Sequence, residues 1–208
     1  MNKKQLIDEL KNSGIKTDIL KAIEKIDRKN FLPPELQEQA YEDYPLSIGY
    51  GQTISQPYTV AFMLQELELK KGDKVMEIGT GSGWNAALIS HLVGEKGKIY
   101  TIEIIKQLAE QAKEKLKHYK NIQVFNIDGS KGLKKFCPYD KIILTAAPKS
   151  IKQELKGQLK ENGILLAPVG KYSQKMIKIK EQKNKFKIEE RGDFVFVPLI
   201  ENRQQNEK

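Results

Sequence analysis

Cysteine, histidine and long apolar runs are scarce in this sequence, and each scarcity narrows what the chain can be. The single cysteine among 208 residues, Cys137, cannot close an intramolecular disulfide. Two histidines, His91 and His118, are too few for a dedicated zinc site, so no metal is expected. No apolar stretch approaches the ~20 residues that cross a bilayer, which predicts no membrane partner. The opening MNKKQLIDELKN is charged and amphipathic and has no apolar centre of the kind a signal peptide carries. Together these features predict a protein kept in a reducing cytoplasm.

What the chain has in excess is lysine. Lysine and arginine number 36 against 27 acids, a net charge of +9. Such a balance can mark nucleic-acid binding, because basic side chains displace counterions from phosphates. Here, however, the lysines are spread out, as at Lys113, Lys115 and Lys117 in one predicted helix. There is no arginine-rich arm, zinc finger or aromatic single-strand platform. The charge therefore reads as a solvated surface with no specific nucleic-acid partner. A hydrophobic fraction of 39% and a charged fraction of 30% fit a folded, well-hydrated domain. The length suits one domain with a sizeable core, and a monomer is expected.

Periodicity divides residues 1–208 into segments of one domain. Residues 1–56 form an N-terminal cap and substrate segment. Leu6, Ile7 and Leu10 make one helical stripe and Ile19, Leu20, Ile23 and Ile26 another, closed by Asn30 to Pro34. A helix starts near Pro57, where a missing N–H costs nothing; Ser55, just before it, is a candidate N-cap. Residues 57–170 alternate short strands with helices: strands at Lys74–Ile78, Lys98–Ile102, Ile122–Ile127, Lys141–Thr145 and Gly163–Val169, and helices from Trp84, from Ile105 and near Ile151–Leu159. This rhythm predicts a doubly wound α/β fold with a mostly parallel sheet. Residues 171–200 read as a β-hairpin, Lys175–Lys180 and Phe186–Glu190 around Gln182-Lys183-Asn184, with Phe194–Val197 as a last strand. The polar tail, 201–208, is expected to fray.

The strongest local signal is Glu77-Ile78-Gly79-Thr80-Gly81-Ser82-Gly83-Trp84, between a strand and a helix. Open α/β sheets bind nucleotides at such turns. A dinucleotide fingerprint is G-x-G-x-x-G, whose last glycine lets helix and strand pack closely. Here the pattern is G-x-G-x-G, and Trp84 fills that last position, which argues against a pyrophosphate site. Glu77 adds negative charge that would repel pyrophosphate but suit the ammonium and sulfonium of S-adenosylmethionine; alternatively it only receives loop N–H groups. Glu103, about 20 residues on, sits where an acid commonly holds ribose hydroxyls. Asp128, before Gly129 at a third strand end, is placed to bind an adenine amino group. Either acid alone could equally be a cap or a surface charge; three at consecutive strand ends are harder to dismiss.

With these residues in view, the chain resembles the protein-L-isoaspartate O-methyltransferases, from about Asn30 to Leu199. The resemblance rests on Tyr44 to Pro57, with its Thr53-Ile54-Ser55-Gln56-Pro57 core, and on the loop Glu77 to Gly83. It continues through Pro138-Tyr139-Asp140, Thr145 to Pro148, Gly163 to Gly170 and Val197-Pro198-Leu199. It departs from the family at Ile127, where glycine is common, and at Trp84, where tyrosine is more usual. The likeness implies a Rossmann-like methyltransferase that esterifies the free α-carboxylate of isoaspartyl residues in damaged proteins and peptides. It implies Ser55 as the active-site hydroxyl. Contacts to S-adenosylmethionine would fall to Ile54, Ser55, Glu77, Gly79, Gly81, Ser82, Glu103, Ile104, Asp128 and Gly129, and substrate pairing to Ser55, Val197, Pro198 and Leu199. A carboxylate nucleophile is already ionised near neutral pH, so the chemistry needs no histidine base. The competing readings are an RNA methyltransferase, favoured by charge alone, a non-catalytic cofactor-binding protein, and an NAD oxidoreductase, disfavoured by Trp84 and Glu77.

Overall fold

The computed structural model describes residues 1–183 and 185–201. Its centre follows from five strands, the inner ones largely too hydrophobic to face water on either side and the edge strand, Ile122–Asn126, partly exposed. They are β3 (Lys74–Ile78), β4 (Lys98–Glu103), β5 (Ile122–Asn126), β6 (Tyr139–Leu144) and β7 (Leu159–Val169), all parallel. Two antiparallel strands, β8 (Gln174–Gln182) and β9 (Lys185–Phe194), extend the sheet to the order β5-β4-β3-β6-β7-β8-β9. The sheet thus grows outward in both directions from β3, and the crevice beyond the ends of β3 and β6 is where an open α/β sheet takes its ligand.

One face of the sheet, with Val75, Ile99, Ile143, Ile164 and Leu166, packs against helices. These are α3 (Pro57–Leu67), α4 (Trp84–Val93) and α5 (Lys106–Leu116); the cap helix α2 (Thr17–Lys25) lies on α3 and α4, and α1 (Lys3–Asn12) lies on α2. The other face, with Met76, Ile78, Ile102, Ile142 and Leu165, is covered more thinly. The short α6 (Gln153–Lys156) and the loop between β5 and β6 lie there, with Ile151 and Leu199 packed beside them. That loop substitutes aromatic packing for a helix: Phe136 stacks on Tyr100 at 4.4 Å, and Tyr139 meets the same ring edge-on at 6.0 Å.

Several expectations need correction. The helix expected over Ile151–Leu159 shrinks to four residues, because Gly157 ends it and Leu159 already pairs with Tyr139. The segment Phe194–Val197 is not a separate strand: β9 runs through Phe194, and only Pro198 bridges, to Ala147. Proline has no N–H to extend a ladder. The second cap helix ends at Lys25, before a short 3-10 turn at Arg28–Phe31. Between the cap and α3 lies an unanticipated hairpin, β1 (Leu46–Gly49) with β2 (Gln52–Ile54). Of the hairpin turn expected at Gln182 to Asn184, Asn184 lies outside the described residues, as do residues 202–208 of the tail; β8 and β9 pair as expected.

Ser55 does not cap α3. The cap residue by position is Gln56, and the side chain that accepts from the helix comes from Asp43. Asp43 Oδ1 accepts the Tyr58 N–H at 2.8 Å, and its Oδ2 accepts Gln56 Nε2 at 3.0 Å. Asp43→Ala should therefore cost about 1 kcal/mol in urea unfolding, whereas Ser55→Ala should leave the midpoint unchanged. The opposite order of the two variants would return the capping role to Ser55.

Candidate active site

The glycine loop after β3 bends where side chains cannot follow. Gly79 has φ +99°, and a Cβ there would lie 2.3 Å from Thr145 Oγ1 at the end of β6. That hydroxyl uses the space, donating to the carbonyls of Gly79 (2.5 Å) and Ile78 (3.2 Å). On the other side, the N–H groups of Gly79 and Thr80 both donate to the Ile102 carbonyl of β4, at 2.8 and 3.1 Å. Glu103 completes the frame. One carboxylate oxygen accepts Gly81 N–H at 2.9 Å and the other Ile105 N–H at 3.0 Å. Each oxygen retains acceptor capacity, because an ionised carboxylate has about four lone-pair sites.

These walls enclose a cleft with about 860 Å³ of atom-free space, part of it continuous with solvent. Most of the expected residues converge on it. Gly79, Gly81, Ser82 and Glu103 form one wall; Ile54, Ser55, Ile104 and Gly129 form others; Val197, Pro198 and Leu199 also line it. Two expected residues are placed differently. Asp128 is not on the wall, and one of its oxygens accepts the Ser130 N–H at 2.8 Å. Glu77 lies behind the loop, fully buried, and takes side-chain donors rather than loop N–H groups. Asn85 Nδ2 donates to Oε1 at 2.7 Å and the Thr101 hydroxyl to Oε2, with Thr80 next in the hydroxyl chain. Burial pushes the Glu77 carboxyl up to about 7, helped by the negative charge of Glu103 and opposed by its two hydrogen bonds.

A second hollow opens beside the first, and Thr53, Ser55, Thr145 and Val197 border both. Its floor is aromatic: Tyr58 and Phe62 of α3 and Phe194 and Phe196 beyond β8, with the Phe62 and Phe194 rings 5.1 Å apart. Ser55 is half-buried at this seam, and among the described residues its hydroxyl has no hydrogen-bond partner.

Comparison with known proteins now decides the family. A family model described as protein-L-isoaspartate(D-aspartate) O-methyltransferase matches residues 1–204. The chain belongs to this family. A Fervidobacterium nodosum protein-L-isoaspartate O-methyltransferase is 47% identical over 93% of this chain and 99% of its own length. One solved protein-L-isoaspartate O-methyltransferase superposes with a TM-score of 0.86 at 30% identity, covering 95% of this chain, which spans 65% of that longer protein. A Plasmodium falciparum protein described as a protein-L-isoaspartate O-methyltransferase, solved with S-adenosyl-L-homocysteine, gives a TM-score of 0.86 at 26% identity over 97% of this chain and all of its own. The family depends on S-adenosylmethionine, and the glycine loop with Glu103 fits such a cofactor: backbone without Cβ on one wall and an acceptor pair on the next.

Several residues of this family member's site were missed in the sequence. Thr145, Asn85 and Thr101 come from separate elements, and only the fold shows them meeting. Arg28 had a faint signal, a charged residue directly after an apolar stripe and before a proline pair.

The buried Glu77 sets a pH dependence. Its folded pKa lies above the unfolded value of 4.5, so the folded chain binds the extra proton between about 4.5 and 7. Stability must then fall as pH rises through that window, by up to about 3 kcal/mol from this group. Glu77→Gln should remove that slope in unfolding curves taken from pH 4.5 to 7.5; parallel profiles for the two proteins would refute it.

Proposed function

We propose that this chain methylates the free α-carboxylate of L-isoaspartyl residues in damaged proteins and peptides, giving a methyl ester and S-adenosylhomocysteine. Family membership and the two joined hollows support this. The observation that carries it is the unpartnered Ser55 hydroxyl at the seam between them. When bound, the cofactor supplies a methyl group on a sulfonium, already activated toward a nucleophile.

The residues of the chain then have positioning tasks. Glu103 accepts ribose hydroxyls with the capacity its two backbone contacts leave. Gly79, Gly81 and Ser82 would let the methionine portion lie against backbone, Ile54 and Ile104 would flank the cofactor, and Gly129 would serve the adenine end, with Asp128 beside it just off the wall. Glu77 contributes negative charge from behind the loop. On the substrate side Ser55 donates to the carboxylate, which needs no base because it is ionised at neutral pH. Ala147 already takes the Val197 carbonyl (2.8 Å) and the Leu199 N–H (2.9 Å), which holds this segment extended for a peptide alongside. Catalysis of this kind rests on alignment, where small misplacements are costly. A monomeric state and a cytoplasmic location complete the proposal, the latter resting on the low cysteine content; no helix among the described residues is long and apolar enough to cross a membrane.

The deciding assay offers the protein an isoaspartyl peptide and its normal aspartyl twin. Only the first should be methylated, and mild alkali should release methanol from the product. Equal use of both twins, or alkali-stable methylation of RNA instead, would defeat the proposal. Ser55→Ala should lower kcat by about tenfold or more while leaving stability intact. Glu103→Ala should weaken cofactor binding by about tenfold, the loss typical of hydrogen bonds to a charged group. Unchanged calorimetric affinity in a folded variant would remove Glu103 from the cofactor site.

A further inference from the structure

The most unusual buried group in this molecule is a guanidinium. Arg28 is 1% exposed and forms no ion pair among the described residues. Its two terminal nitrogens are met by main-chain carbonyls and the nearby Asp43 carboxylate favours the charge, while Nε has no hydrogen-bond partner among the described residues. Nη1 donates to Ala40 (3.0 Å) and Glu42 (3.2 Å), and Nη2 to Tyr44 (2.9 Å), Ser55 (3.1 Å) and, more weakly, Ile54 (3.5 Å). The group also lies over the ring of Trp84, 5.6 Å from its centroid, and Trp84 lines the cofactor cleft. A buried charge is costly unless its hydrogen bonds are met. An apolar side chain could fill this space; what the planar fork adds is a simultaneous hold on carbonyls from two stretches of chain, 40–44 and 54–55.

Those two stretches are the ones that aim Ser55. The carbonyls of Ile54 and Ser55 fix the peptide planes on both sides of the Ser55 Cα, and hence the direction of its Cβ. The next residues are held by Asp43, which accepts from the first turn of α3. Asp43 itself lies inside the stretch that Arg28 grips, between Glu42 and Tyr44. The Ser55 hydroxyl makes no bond of its own among the described residues, so its place at the seam is set by its backbone.

We propose that Arg28 is a positioning residue for methyl transfer, acting through the backbone of Ile54 and Ser55 to hold the Ser55 hydroxyl against the substrate carboxylate. The proposal rests on the assignment of Ser55 made above. Lysine has three donors on a compact ammonium and cannot span the same carbonyls, so it restores the charge and part of the grip. Misplacement of a reacting group by about 1 Å can cost on the order of a hundredfold in rate.

The test is a double-mutant cycle on kcat, with Arg28→Lys and Arg28→Met made in wild-type and Ser55→Ala backgrounds. All are assayed with an isoaspartyl peptide, well below each variant's melting temperature. Arg28→Lys should lower kcat about tenfold and Arg28→Met further, with little change in the KM of the cofactor. In the Ser55→Ala background the same substitutions should have little further effect, because the group they position is gone. Leu10→Ala, which loosens the packing of the cap helix α1 on α2, should lower the melting temperature and keep kcat. If Arg28→Met fails to fold, the cycle is read from Arg28→Lys alone; far-UV circular dichroism reports folding in every variant, because Trp84 emission would respond to the loss of the guanidinium over its ring. Losses that multiply with Ser55→Ala, or a folded Arg28→Lys with wild-type kcat, would overturn the positioning role and leave the function standing. Absence of wild-type turnover on the isoaspartyl peptide would remove both.

Discussion

The hydroxyl of Thr145, bonded to the carbonyls of Gly79 and Ile78, ties together the two strand ends at the centre of the sheet. The backbone ladder already joins β3 to β6 as far as Ile78 and Leu144, with Thr145 N–H donating to Ile78 at 3.0 Å; the hydroxyl carries that tie one residue further, onto the loop itself. The bond needs a glycine, since the hydroxyl occupies the volume of a Cβ at Gly79. Once the loop is held on that side, its N–H groups face β4, where Ile102 and Glu103 receive three of them. Glu103 then reaches Ile105 and fixes the entry to α5. A chain of short-range bonds thus runs from β6 through the loop to β4, and the cleft is the space it leaves.

How much of this was legible in the sequence depended on range. The parallel strands were readable because burial on both faces leaves continuous apolar runs such as Lys141 to Leu144, and the turns between them carry glycine. Glu103 was readable because its distance from the loop is set by one helix and one strand, a nearly constant length. The cap of α3 was not readable, because Asp43 reaches Tyr58 from fifteen residues upstream, while Ser55 sits in the place where a local cap would stand. The same holds for Glu77, whose neighbours Asn85 and Thr101 come from α4 and β4. Its carboxylate was expected to face the cleft or the loop N–H groups, and alternation along β3 turns it behind the loop instead. The helix over residues 151–159 failed for a different reason: the apolar spacing was right, but β7 claims Leu159 for the sheet.

Net charge, the feature that most favoured RNA, loses its force once the cleft is seen. The protein carries +9 overall, yet among the described residues no lysine or arginine lines the cleft, whose charged residue is Glu103. The one arginine in the adjoining hollow, Arg191, is engaged by Glu66 at 3.2 Å and by Glu189. Lys178, buried near the core, is likewise engaged by Glu66 and Glu68. The excess charge sits on the outer surface, where it governs solubility and long-range attraction more than recognition. A phosphate backbone entering the cleft would meet a carboxylate, and a cationic cofactor would be drawn to it.

A reaction whose nucleophile is already ionised leaves the protein little proton chemistry to perform, and the buried carboxylate of Glu77 needs another explanation. One loop behind the cleft, an acid poised near neutrality responds to whatever charge lies on the other side. In the proposed reaction a sulfonium charge is present before methyl transfer and absent after it. A cation in the cleft would favour the charged form of Glu77, and that attraction would strengthen its binding. With the charge gone, desolvation would dominate again and the neutral form would return. Under the proposed function the wall would therefore favour the charged reactant over the neutral product. A surface carboxylate, screened by water and ionised in both states, would make a much smaller distinction.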